Sequence, residues 1–385
     1  MTDAALRRSG IREVMDLAAS LEGVVHLELG EPDFPTPRHV VEAVQQALEG
    51  GQVKYTLSRG EPELRELLAA RLAAVDGISR GTDGVVVTPG GTAGVFAVLS
   101  ALVRPGDAVL LPDPGWPAFE MIARLVSAEI RRYRLTADRN FEPDPDELDR
   151  LARGARVLVL NTPSNPTGAV FSPAAVESAL QVALRHDLEV VSDEVYEQIV
   201  LDGSHTSATA LDPDDRVTGV YSFSKDYAMT GWRVGYLSAR REVVDAVVRV
   251  QEAVAACPSW PGQRAAVAAL IGPQDVIGDM VDEYRRRRDL AVELLDRAGL
   301  LAARPRGAFY VLARVGGVET DTYAFARRLL EQERIAVAPG ETFGPGGAGL
   351  VRLSLASPPD AIAAGVEALE RVAAAATSGE DGRGG

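Results

Sequence analysis

The chain has 385 residues, 46% of them hydrophobic and 25% charged, a composition that suits two globular domains or one large elaborated one. Its formal charge of −15 argues against nucleic acid and anionic membrane as partners, because both demand a basic face. The one cysteine, Cys257, excludes an internal disulfide framework and reads as a buried apolar thiol.

At the N-terminus, Met-Thr-Asp-Ala-Ala-Leu-Arg-Arg has no apolar core of the signal-peptide kind, and the longest apolar run, at 93–103, is too short to cross a bilayer. A soluble, cytoplasmic protein is expected. Further along, short β-branched runs alternate with amphipathic helical stretches. Strands are predicted at 85–88, 108–111, 156–160, 188–192 and 217–221, and helices at 92–102, 116–127 and 173–185. Apolar strands separated by helices predict an α/β fold with a mostly parallel sheet covered on both faces. Ligands of such a sheet belong at the C-terminal ends of its strands. From about Val276 the pattern changes to a long helix over 279–297 and strands at 308–312 and 350–354, which predict a smaller α+β domain. The four arginines at 285–288 lie in that helical stretch and read as a solvated face. The sequence shows no internal repeat.

Of the 40 basic residues only two, Lys54 and Lys225, are lysines. Where a surface merely needs positive charge, arginine serves as well, so a retained lysine marks a place that needs a deprotonatable amine. Lys225 is thereby a candidate Schiff-base nucleophile, with an ordinary surface charge as the alternative. Its surroundings decide between the two. Residues 87–94, Val-Thr-Pro-Gly-Gly-Thr-Ala-Gly, lead from a strand through glycines into a helix. The backbone amides there form an anion site, although a plain tight turn reads the same way. Residues 161–168, Asn-Thr-Pro-Ser-Asn-Pro-Thr-Gly, end a later strand with loop-fixing prolines and two asparagine amides. Asp193 directly follows an apolar strand, where a carboxylate needs a cationic partner to offset its desolvation. Lys225 ends the next strand.

Taken together, these residues resemble the aspartate aminotransferase superfamily of pyridoxal 5′-phosphate enzymes, fold type I, class I and II, in its prokaryotic subgroup. The resemblance runs from Ser-Gly-Ile-Arg-Glu-Val-Met at 9–15 and Leu-Gly-Glu-Pro-Asp-Phe-Pro-Thr-Pro at 29–37, through Lys-Tyr-Thr at 54–56, to Val-Arg-Leu-Ser at 351–354. Its most specific element is Ser-x-x-Lys-x7-Arg at Ser222, Lys225 and Arg233. The expected division is a large cofactor-binding domain over 34–275 and a discontinuous small domain over 1–33 and 276–375. The polar tail, 376–385, reads as disordered.

Residue by residue, the resemblance implies that Lys225 forms the Schiff base with the cofactor and shuttles the proton between substrate Cα and cofactor C4′. Both tasks need an amine of lowered pKa. Asp193 would pair with the pyridinium nitrogen and keep the ring an electron sink. Asn165 and Tyr196 would hydrogen-bond the phenolic oxygen, and Trp116 would stack on the ring. Ser222, Arg233 and the backbone at Gly91 and Thr92 would hold the phosphate. Tyr55 would reach it from the neighbouring subunit of a homodimer with shared active sites. Arg352 would grip the substrate α-carboxylate as a bidentate guanidinium, with Gly30 approaching through its backbone. Ile11, Tyr55 and Phe309 would line the side-chain pocket, and Trp116 and Asn165 would also touch substrate.

The implied activity moves an α-amino group from an L-amino acid to a 2-oxo acid by a ping-pong aldimine/ketimine mechanism. One departure matters. Relatives acting on acidic amino acids often carry a lysine just after the paired glycines, where this chain has Thr92 and Ala93. Either the donor is not acidic, or another arginine, such as Arg264 or one from a partner subunit, replaces that lysine. The same cofactor residues would also serve a β-lyase, a decarboxylase or an oxidative biosynthetic enzyme. A non-catalytic effector-binding module would need a DNA-binding domain, and only about ten residues precede Ile11.

Overall fold

The computed structural model describes residues 10–51, 53–317 and 321–380, with side chains described as far as 375. Strand β1 (Val25–His26) lies near the N-terminus. A seven-stranded sheet follows, built from β2 (Val85–Thr88), β3 (Ala108–Asp113), β4 (Glu129–Arg134), β5 (Ala155–Asn161), β6 (Glu189–Asp193), β7 (Val217–Ser222) and β8 (Gly235–Ser238). Its order is β2-β8-β7-β6-β5-β3-β4, and only β8 runs antiparallel to its neighbours. Every residue of β2, β3, β6, β7 and β8 is buried, as expected when helices cover both faces. Helices Gly91–Leu102, Pro117–Leu125 and Pro173–Arg185 sit close to their predicted positions.

Two strands of this sheet were not predicted. β4, Glu-Ile-Arg-Arg-Tyr-Arg, is an edge strand whose charged residues hide the strand signal and protect the open edge. β8 has only four residues, one of them glycine.

The C-terminal part holds β9 (Tyr310–Arg314), β10 (Ile335–Ala336), β11 (Ala338–Pro339) and β12 (Leu350–Ser354). β11, β12 and β9 form an antiparallel three-stranded sheet, and β1 pairs parallel with β10. β9 begins two residues later than predicted because Ala308 has φ +52°, outside extended geometry. Helix Asp275–Arg297 spans 23 residues.

The arginine run on that helix is only half solvated. Arg286 is exposed, whereas Arg287 pairs with Asp33 at 2.9 Å and Arg288 is 1% exposed and forks onto Asp202 at 2.8 and 3.1 Å. Four consecutive helical residues turn through more than one face, so a charge run cannot be solvated throughout against a packed neighbour. Cys257 is half-buried and accepts from the Thr56 amide at 3.4 Å. The last helix, Pro359–Glu380, continues into the tail that its composition marks as disordered, because four alanines at 373–376 favour helix. Residues 381–385 lie outside the described residues. Among the described residues no helix is long and apolar enough to cross a membrane.

Candidate active site

Strand register brings the chemistry together. Asn161 pairs with Asp193, and Asp193 with Val220, so the C-terminal ends of β5, β6 and β7 align. Ser222 closes β7 and caps the short helix Phe223–Asp226, its Oγ accepting from the Ser224 amide at 3.1 Å. Lys225 is thereby projected from the sheet's carboxyl edge. On the other side of β7, Ser222 and Thr88 both pair with Gly235 of β8, which sets the glycine turn after β2 beside Ser222.

A cleft of about 850 Å³ opens at this edge. Lys225, Asp193, Tyr196, Asn165, Trp116, Ser222, Arg233, Gly91, Thr92, Gly30, Ile11 and Arg352, all named from the sequence, line it. Two others do not. Tyr55 is 89% exposed and stands outside the cleft. Phe309, expected at the pocket wall, is fully buried behind Tyr196, at 5.5 Å between ring centroids, with its own centroid 5.6 Å from Nζ of Lys225.

Tyr310, itself buried, lines the cleft instead, and sequence reasoning missed it. Its hydroxyl shares a 2.8 Å hydrogen bond with that of Tyr196, and the Arg352 guanidinium lies 4.2 Å from its ring centroid. Period-two alternation puts residues 309 and 310 on opposite faces, so one of them had to face inward. A Cβ at Gly30 would meet the Tyr310 hydroxyl at 2.5 Å, so glycine lets the N-terminal segment pass close to the site.

Burial sets the electrostatics. Asp193 is 3% exposed, and desolvation pushes its carboxyl up to about 7, against the weak 3.3 Å bond from the Val195 amide and the field of Lys225. The Lys225 amine falls to about 8, again through burial first, with Glu31 opposing and Arg352 and Arg233 adding to the shift. Its Nζ donates to the Gly30 carbonyl. Burial drives the Tyr196 hydroxyl well above its usual range. Arg352, 1% exposed, donates to Asn165 Oδ1 at 2.9 Å and to the Glu28 carbonyl at 2.5 Å, while its Nε has no partner.

At the opposite end, helix Gly91–Leu102 points its N-terminus into the cleft, a partial positive charge suited to an anion. Arg233 stands against it. Gly90 has φ +84°, and a Cβ there would come within 2.7 Å of the Arg233 guanidinium. These groups fit pyridoxal 5′-phosphate. Its phosphate matches the helix terminus with Arg233 and Ser222, its carbonyl matches the Lys225 amine, and its ring cation would satisfy the isolated Asp193 carboxylate. Among the described residues no cluster could hold a metal ion.

The sequence comparisons agree with this chemistry. The model of the family "Aminotransferase class I and II" matches residues 22–369. The chain is 37% identical to an aspartate/prephenate aminotransferase of Thermus thermophilus, over 95% of this chain and 92% of that protein. It is 34% identical to an aromatic-amino-acid aminotransferase of Thermococcus litoralis, over 94% and 95%. The solved structure of Thermus thermophilus aspartate aminotransferase with maleate superposes with TM-score 0.92 at 36% identity, covering 96% of this chain and 98% of that one. The chain therefore belongs to the class I and II aminotransferases, and it is a pyridoxal 5′-phosphate-dependent transaminase acting on amino acids and 2-oxo acids.

Proposed function

We propose that the enzyme pairs an L-amino acid donor with a dicarboxylic 2-oxo acid acceptor, the two occupying one cleft in turn. The names of its relatives support an acidic partner, because the Thermus thermophilus and Pyrococcus horikoshii proteins are both aspartate aminotransferases. The observation that carries the residue roles is the meeting of Lys225 and Asp193, two buried groups whose charged forms are disfavoured, in a cleft that also holds Arg352.

Bound pyridoxal phosphate supplies an electron sink for the pair released when the substrate Cα–H bond breaks. Lys225 would hold the cofactor covalently, and its Nζ, once freed by substrate, would take the Cα proton. A lysine near 8 keeps a useful fraction of free amine at neutral pH. Asp193 would hold a proton on the ring nitrogen, and Asn165 and Tyr196 would donate to the phenolic oxygen. Trp116 would cover one ring face. Ser222, Arg233 and the amides of Gly91 and Thr92 would hold the phosphate. Arg352 binds the α-carboxylate, with its free Nε available, and Gly30 faces the same group.

The exposed Tyr55 suits a second copy, and we infer a homodimer in which Tyr55 of the partner subunit reaches the phosphate. The domain division at about 33 and 275 and a cytoplasmic location belong to the same reading. Incubating holoenzyme with L-aspartate, L-glutamate and aromatic amino acids tests the function. Stoichiometric pyridoxamine phosphate with the matching 2-oxo acid is expected, reversed by 2-oxoglutarate. Ammonia or carbon dioxide without pyridoxamine phosphate contradicts it.

A further inference from the structure

We propose that Arg12 is the specificity-determining cation of the cleft, binding the second carboxylate of dicarboxylic substrates. The inference rests on the transaminase reading of the same site and adds a residue to it. Two positions suggested by the sequence do not supply this charge. Thr92 stands where a lysine would be needed, and Arg264 is not among the cleft-lining residues and is paired with Glu63 at 2.8 Å and Glu61 at 3.5 Å.

Three arginines line the cleft, and they differ in their engagements. Arg352 is buried and bonded to Asn165 and Glu28. Arg233 donates to the Thr230 carbonyl at 2.9 Å and lies against the glycine turn. Arg12 lies in helix Gly10–Ala18 and has no hydrogen bond or ion pair among the described residues. Most arginines in this chain have a carboxylate, so a guanidinium with none among the described residues, at the mouth of a substrate cleft, is available to one that arrives with substrate.

The helix explains how Arg12 is aimed. Val14 and Ala18 are buried, while Ile11, Arg12, Met15 and Asp16 line the cleft, as positions i, i+1, i+4 and i+5 of one helical face. Arg352 sits deep and Arg12 at the exposed mouth, so a substrate held by its α-carboxylate points its side chain outward. A planar guanidinium there accepts a carboxylate through two parallel bonds. The neighbouring carboxylates are already occupied, Asp16 with another group and Glu31 by the Thr230 hydroxyl. Ile11 and Met15 add an apolar flank that an aromatic side chain can use instead.

Spectral titration of the holoenzyme with maleate, a dicarboxylate, and with 3-phenylpropionate, a monocarboxylate, tests the assignment without requiring turnover. Arg12→Gln is expected to lower the ratio of maleate to 3-phenylpropionate affinity about tenfold or more, as loss of a charge-assisted pair does, and Arg12→Lys should recover part of it. An unchanged ratio overturns the proposal, whether neither ligand weakens or both weaken alike. If wild-type enzyme forms no pyridoxamine phosphate from any donor, the transaminase reading fails, while the affinity ratio still judges Arg12.

Discussion

Asn165 Oδ1 accepts a hydrogen bond from Nη1 of Arg352 at 2.9 Å, joining the loop after β5 to strand β12 and so the seven-stranded sheet to the three-stranded one. The residue proposed to grip the substrate is thus oriented by a residue proposed to touch the cofactor. Asn165→Ala leaves a buried guanidinium short of one acceptor and free to turn. Steady-state kinetics should show kcat/KM reduced about tenfold to hundredfold, the scale of a charged hydrogen bond at 1.5–3 kcal/mol. Arg352→Lys loses the planar fork and should fall at least as far. Wild-type kinetics in either variant would remove the pair from the site.

Asp193 makes the apoprotein pH-sensitive in a defined direction. Its folded value near 7 lies above the ordinary 3.8, so between about pH 4 and 7 the folded chain holds a proton that the unfolded chain has lost. This contribution lowers stability as pH rises through that window, by up to about 4 kcal/mol once both values are passed. Asp193→Asn cannot titrate. Denaturant melts of the two apoproteins should therefore diverge, the variant gaining on wild type from pH 4 to 7 and holding its lead above. A constant difference across the range would mean that Asp193 is not desolvated.

Lys225 should limit cofactor capture at low pH. Its amine falls to about 8 because burial disfavours the charged form, and only the free amine attacks a carbonyl. Mixing apoenzyme with pyridoxal phosphate should give a second-order rate that climbs about tenfold per pH unit below that value and levels above it. A rate still rising beyond pH 10 would indicate an ordinary solvated lysine.

The half-buried arginine run separates packing from surface charge. Arg288 is 1% exposed and donates to Asp202 and to the Pro305 carbonyl, so Arg288→Ala should cost about 3–5 kcal/mol in denaturant unfolding. Arg286→Ala removes an exposed pair to Glu283 and should change stability by less than about 1 kcal/mol. Equal costs would contradict the burial difference.

How much was legible in the sequence depended on how local the signal was. Lys225 stood out through the scarcity of lysine and Asp193 through its place at the end of an apolar strand, and strand register then sets the ends of β6 and β7 side by side. β4 was hidden because Glu129, Arg131, Arg132 and Arg134 supply the charge of an edge strand and mask its periodicity. The choice between Phe309 and Tyr310 turned on one backbone angle, φ +52° at Ala308, which delays the strand and which no pattern of side chains encodes. Arg12 was invisible for a different reason. What distinguishes it is the lack of a partner among the described residues, and that depends on contacts between segments far apart in the chain.

Two lysines make the central claim unusually easy to test. Holoenzyme reduced with borohydride and cut into peptides should carry the pyridoxyl mass on Lys225 alone, and addition of an L-amino acid before reduction should abolish the label. The exposed Lys54 should stay unmodified. Label on Lys54, or label on Lys225 that persists in the presence of amino acid, would contradict Lys225 as the covalent carrier of the reaction.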